Sequence, residues 1–161
     1  MCVIPNAAPV NGELLERRVY LHPGGIWAEA GAGAITTVLG SCVSVCLWDP
    51  DLALGGINHF VLPRGGAVRS GHYGSHAMPM LLERVLALGA RREALVSCVF
   101  GGASIHPIEG ARPQLGSRNV SEAFDFLERE GIVVLRTDVE GGQGRKLTFR
   151  TASGTTLVRK L

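Results

Sequence analysis

The stretch TTVLGSCVSVCLWD, positions 36–49, limits what this chain can fold into more than any other. A small-residue turn, Gly40-Ser41, delivers Cys42. Then Val43, Val45 and Leu47 alternate with Ser44, Cys46 and Trp48. A period of two is the signature of a strand. Asp49-Pro50-Asp51 is turn chemistry, and a second apolar run, LGGINHFVL at 54–62, returns. The expected structure is a β-hairpin.

With Asp49 and Leu52 flanking the turn, Cys42 faces His59. Directly opposed residues of an antiparallel pair have Cβ atoms about 5 Å apart. Two-residue hairpins favour primed turns, which Pro50 does not suit, and Gly55-Gly56 is placed for a bulge. A slip of one residue turns His59 to the other face. The pairing matters because the thiolate is the nucleophilic form of cysteine, and a neighbouring imidazole takes its proton. Pattern alone favours a plainer reading, with Cys42 a small buried hydrophobe and His59 a satisfied core residue.

Bulk properties narrow the class. The 161 residues suit one domain, read as 13–161 behind a loose leader at 1–12. A net charge of +2 makes no electrostatic case for nucleic acid or a membrane surface. The chain has no run of 18 apolar residues, so no membrane-inserted helix is expected. Glycine numbers 22, about twice ordinary usage, which favours tight turns over long helices. Cys42 and Cys46 lack a second close pair to complete a zinc site, and Cys2 and Cys98 stand apart. The expected setting is the reducing cytoplasm.

Further strands are expected at 17–21, 26–29, 35–39, 95–100 and 132–138, with a terminal hairpin from 146–150 and 155–161. Met78, Leu81, Leu82 and Val85 recur at helical spacing, so 78–88 reads as a helix with Pro79 in its first turn. Residues 119–130 read as the clearest helix, capped by Asn119 with Glu122 as reciprocal partner and stopped by Gly131. The segment 63–74, rich in Gly, Arg and Ser, follows His59 and is expected to rim a site. His72 and His76 are four apart, but Gly74 lies between them and no glutamate completes a metal motif, so a loop and a helix start are expected there. His106 has no obvious partner in a loop over 105–116. These elements sum to an α/β domain with antiparallel or mixed sheets and helices covering one face.

The blocks ITTVLGSCVSVCLWDP and GGINHFVLP, followed by FGGAS, GSRNV and GRKLTF, resemble the CheD-type chemoreceptor glutamine deamidases. The resemblance runs from about Arg18 to the C-terminus. It implies a layered α/β/β sandwich, similar to the deamidase domain of cytotoxic necrotizing factors. It implies Cys42 as nucleophile, His59 as general base, and Thr36, six positions before the cysteine, as the group that orients the imidazole. On composition Thr37 is an equal candidate; only the family spacing selects Thr36. Gly40 and Ser41 leave room for backbone N–H groups beside the nucleophile, and the Cys42 N–H is the expected oxyanion donor.

The implied reaction converts receptor glutamines to glutamate through a cysteine thioester, with neither metal nor organic cofactor. The implied partners are methyl-accepting chemotaxis receptors and a CheC-type phosphatase. A thioester route also suits hydrolysis of a receptor glutamate methyl ester. A non-catalytic adaptor for the phosphatase or receptor, and a cysteine peptidase or transglutaminase, are the other classes this chemistry leaves open.

Overall fold

A computed structural model describes residues 16–105 and 114–161. The leader, Cys2 and His106 lie outside the described residues. Among the described residues nine strands run as β1 (Arg17–Tyr20), β2 (Ile26–Ala30), β3 (Gly33–Leu39), β4 (Val43–Asp49), β5 (Leu54–Asn58), β6 (Val96–Gly101), β7 (Val133–Val139), β8 (Arg145–Arg150) and β9 (Thr156–Lys160). Two α-helices interrupt them, α1 (Gly74–Ala87) and α2 (Leu115–Glu130). The strands form two mixed sheets, ordered β1-β3-β8-β9 and β2-β5-β4-β6-β7. β1 runs parallel to β3 and β6 parallel to β7, while the remaining pairs are antiparallel.

The alternation along β4 explains the layering. Val43, Val45 and Leu47 join Met78, Leu81 and Val85 of α1 and Ala123 and Leu127 of α2 in one core. Cys46 and Trp48, on the opposite side, join Ile35 and Leu39 of β3 and Leu147 and Phe149 of β8 in a second. The five-stranded sheet is therefore the middle layer, buried on both faces, with helices on one side and the four-stranded sheet on the other. Every residue of β4 and β5 is buried accordingly. This is the expected layered α/β/β sandwich with two main helices.

Both helices begin earlier than their apolar stripes suggest. α1 starts at Gly74, where the Gly74 and Ser75 amides donate to the Leu62 and Pro63 carbonyls. Pro79 is thus inside the helix and not in its first turn. α2 starts at Leu115, so Asn119 lies in its second turn and does not cap it. Gly116 and Ser117 are poor helix formers, and they disguise this extra turn in the sequence. Gly131 closes α2 in the left-handed conformation, as expected.

Candidate active site

The hairpin forms, with a different register. β4 and β5 pair Asp49 with Leu54 and Cys46 with Ile57, and an isolated bridge pairs Val43 with Phe60. One step further Cys42 faces Val61, not His59, and Ser44 takes the place opposite His59. The reason lies in the turn. Asp49 Oδ1 accepts from the Asp51 and Leu52 amides, and Ala53 closes the loop at φ 50°. Residues 50–53 all belong to the loop, which moves the register by two. A shift of two preserves the face. Cys42 and His59 remain on the same side of the sheet as diagonal neighbours, turned toward the four-stranded layer.

Each backbone segment is held firmly. The His59 amide donates to Gly25 O at 3.0 Å, and His59 O accepts from the Gly24 amide at 2.7 Å. Phe60 exchanges both backbone hydrogen bonds with Val43, at 3.0 and 3.1 Å. On the cysteine side, Gly40 O accepts from the Ala103 amide and Cys42 O from the Gly102 amide, each at 2.8 Å. This close approach requires glycine at 101, where φ is 110° and a Cβ would lie 2.1 Å from Cys42 O. The FGGA block therefore serves as a backbone cradle for the cysteine turn.

The threonine at the histidine is Thr37. Its Oγ1 lies 2.7 Å from His59 Nδ1 and 2.7 Å from Leu21 O. A carbonyl only accepts, so the Thr37 hydroxyl donates to Leu21 O and the imidazole donates from Nδ1 to Thr37. That fixes the tautomer: the proton sits on Nδ1 and the lone pair on Nε2. His59 Nε2 is buried and has no hydrogen-bond partner among the described residues. Thr36, the residue selected by family spacing, meets Thr148 Oγ1 at 2.9 Å on the outer face of the four-stranded sheet. Adjacent strand residues face opposite ways, and the stacking of the two sheets turns Thr37 inward. The structure thus brings together Cys42, His59, Gly40, Ser41 and Thr37, and leaves Thr36 out.

Burial favours the neutral form of both Cys42 and His59. Burial pushes the Cys42 thiol pKa above its ordinary value, against the pull of its own backbone amide. Burial also pushes His59 down to about 4; the Leu21 carbonyl opposes this, and His72 and His22 nearby add to it. The arrangement suits a neutral imidazole acting as general base on a neutral thiol. His72 and His76 both reach Ser70: His72 Nδ1 lies 3.2 Å from its Oγ, and His76 Nδ1 accepts from its amide at 3.2 Å. They hold the loop after His59 onto the start of α1. No group of three or more potential metal ligands occurs among the described residues.

Asn119 is not the cap that its sequence position suggests. It is 0 % exposed, and its Nδ2 donates to Ser41 O at 2.9 Å and Val61 O at 2.8 Å. Its presumed capping partner Glu122 instead accepts from Arg64 of the loop at 2.9 Å. Ser44, whose buried Oγ has no partner among the described residues, reads in the sequence as an ordinary strand position.

The family model for CheD, described as CheD chemotactic sensory transduction, matches residues 62–160, well over half the chain. This chain belongs to the CheD family. Curated relatives agree. One from Anaeromyxobacter dehalogenans is 48% identical over 161 residues, covering 96% of this chain and 94% of its own, a span that takes in Cys42 and His59. One from Trichlorobacter lovleyi is 46% identical over 144 residues, covering 88% and 89%. Both carry the name probable chemoreceptor glutamine deamidase CheD. Among solved structures, the chain is similar to a Neisseria meningitidis protein of the DUF152 family, with a TM-score of 0.48 and 13% identity over 79% of this chain and 65% of that one. That family is not the cytotoxic necrotizing factors named by the resemblance. No helix among the described residues of this CheD protein is long and apolar enough to cross a membrane.

Proposed function

We propose that this CheD protein hydrolyses the side-chain amide of glutamines on chemoreceptors, releasing ammonia and leaving glutamate. The observation that carries the reading is the Thr37–His59 hydrogen bond, which leaves an unpartnered Nε2 lone pair on the face shared with Cys42. The names of its relatives support the substrate class.

In this mechanism His59 Nε2 takes the Cys42 thiol proton as sulfur attacks the glutamine Cδ. The carbonyl oxygen becomes an oxyanion, held by the Cys42 N–H beside the sulfur. His59 passes the proton to the amide nitrogen, the C–N bond breaks, and ammonia leaves a glutamyl thioester. Water then adds to the thioester while His59 takes its proton. The C–S bond breaks, the proton returns to sulfur, and glutamate departs. Thr37 keeps Nδ1 protonated through both halves and faces the imidazolium in each.

The product carboxylate places a negative charge where a neutral amide stood, a change suited to resetting a signalling helix bundle. The protein then works in the cytoplasm, where receptors expose such bundles, with a CheC-type phosphatase as a second partner. The test is mass spectrometry of a receptor cytoplasmic fragment, with ammonia release measured in parallel. Amide-to-acid conversion at defined glutamines by the wild type, lost in Cys42→Ala, is the expected result. Conversion that survives Cys42→Ala overturns the reading.

A further inference from the structure

We infer that Asn119 is a positioning residue for the deamidation, one amide that braces the nucleophile strand and the base strand in register. The inference rests on the deamidase reading above and extends it to a residue on the helical layer, outside the cysteine–histidine–threonine set.

The ladder between β4 and β5 ends at the Val43–Phe60 bridge. Beyond it the chain carries Ser41-Cys42 on one side and Val61 on the other, past the last backbone pairing of the two strands. There the side chain of Asn119 takes over. Its two N–H bonds go to Ser41 O, in the turn before β4, and Val61 O, in the segment after β5. Both partners only accept, so the NH2 group must be the end that faces them. The side chain is fully buried, and its Oδ1 has no hydrogen-bond partner among the described residues. Burying an unpaired amide oxygen is costly, so the site retains asparagine for its paired donors.

The consequence for chemistry follows from peptide geometry. In a trans peptide the C=O and the next N–H point opposite ways. Holding Ser41 O against α2 therefore aims the Cys42 N–H away from the helices, toward the sulfur and the position of the oxyanion. Holding Val61 O fixes the strand two residues beyond His59. Asn119 thus sets the nucleophile, its oxyanion donor and the base relative to one another without touching substrate.

The test compares wild type, Asn119→Ala, Asn119→Ser, His59→Ala and Leu127→Ala. Leu127 is buried on the same helix and serves as the control for simple loosening of α2. Two readouts are taken: ammonia release from a receptor cytoplasmic fragment, and the rate of Cys42 alkylation by iodoacetamide at neutral pH. A misplacement of about 1 Å costs on the order of 100-fold in rate. Asn119→Ala is expected to lose about that much in kcat, with KM changed no more than about twofold, and to alkylate as slowly as His59→Ala. Asn119→Ser, whose hydroxyl serves one carbonyl, is expected to fall between, and it decides the matter if Asn119→Ala does not fold. Leu127→Ala is expected to melt earlier with both rates kept.

Wild-type kcat in a folded Asn119 variant overturns the inference, as does an equal kcat loss in Leu127→Ala. If the wild type releases no ammonia, the deamidase reading fails by itself. The alkylation rates still judge the brace: slowing in Asn119→Ala upholds it, and equal rates reject it.

Discussion

Thr37 Oγ1 bridges His59 Nδ1 and Leu21 O, 2.7 Å from each, and so joins the four-stranded sheet to the segment that follows β5 of the five-stranded one. One hydroxyl decides the imidazole tautomer and spans the two layers. Its neighbour Thr36 is on the far side of β3, bonded to Thr148.

Thr37→Val is therefore expected to lower kcat by about 10- to 100-fold, because the imidazole loses its orienting acceptor. The variant also leaves the buried Leu21 carbonyl without the hydroxyl, a cost of about 1–3 kcal/mol. Thr36→Val is expected to keep kcat within about twofold, since its hydroxyl touches no group at the site. Steady-state ammonia release from both variants checks the split. A reversed order would return the orienting role to Thr36.

The pH profile follows from His59. In the proposed mechanism His59 must be neutral to act as base, and burial holds its pKa at about 4. kcat/KM should stay level through neutral pH and fall only on an acid limb near that value. The raised Cys42 thiol delays ionisation on the alkaline side. An acid limb near the ordinary histidine value of 6.5 would contradict this assignment.

The same shift links stability to pH. Between 6.5 and about 4 the unfolded chain binds a proton at His59 that the folded chain refuses. Stability therefore falls as pH drops through that window, and His59 contributes a loss of up to about 3 kcal/mol. His59→Gln, which keeps a donor for Thr37, is expected to flatten that part of the curve. Urea unfolding midpoints measured across the window check it.

Gly101→Ala adds a Cβ to a left-handed residue pressed against Cys42 O. Left-handed strain alone costs about 1–2 kcal/mol, and relieving the clash must move the cysteine turn. Lower stability and lower kcat are expected together. Gly141, also at positive φ but with open space around its Cβ position, offers the contrast: Gly141→Ala should bear the strain and keep its kcat. Chemical denaturation and turnover of the two variants test this.

Arg145 is 0 % exposed and donates to Asp138 Oδ1 at 2.8 Å and to the carbonyls of Asp138 and Glu140, closing the turn between β7 and β8. Arg145→Met strands the Asp138 and Glu140 carbonyls while Lys160 still pairs with Asp138 Oδ1, and is expected to cost about 1–3 kcal/mol. The exposed Arg69–Glu83 pair, at 2.6 Å, is expected to contribute no more than about 1 kcal/mol. Thermal melts of Arg145→Met and Arg69→Met separate the two.

The sequence by itself determined the local periods. Alternation from Val43 to Trp48 made a strand buried on both faces, the Met78, Leu81, Leu82 and Val85 stripe made a helix, and the Gly-Ser-Cys and Asn-His-Phe blocks set a cysteine and a histidine on one face of a hairpin. These follow from backbone geometry repeating every two or 3.6 residues, and a chain carries that information wherever it is read. Tertiary structure decided the rest. The hairpin register depended on Asp49 folding back on its own turn. The choice of Thr37 over Thr36 depended on which face of β3 the other sheet covers. The role of Asn119 depended on contacts with Ser41 and Val61, 78 and 58 positions away. No local period encodes such pairs, because they exist only once the three layers have closed on one another.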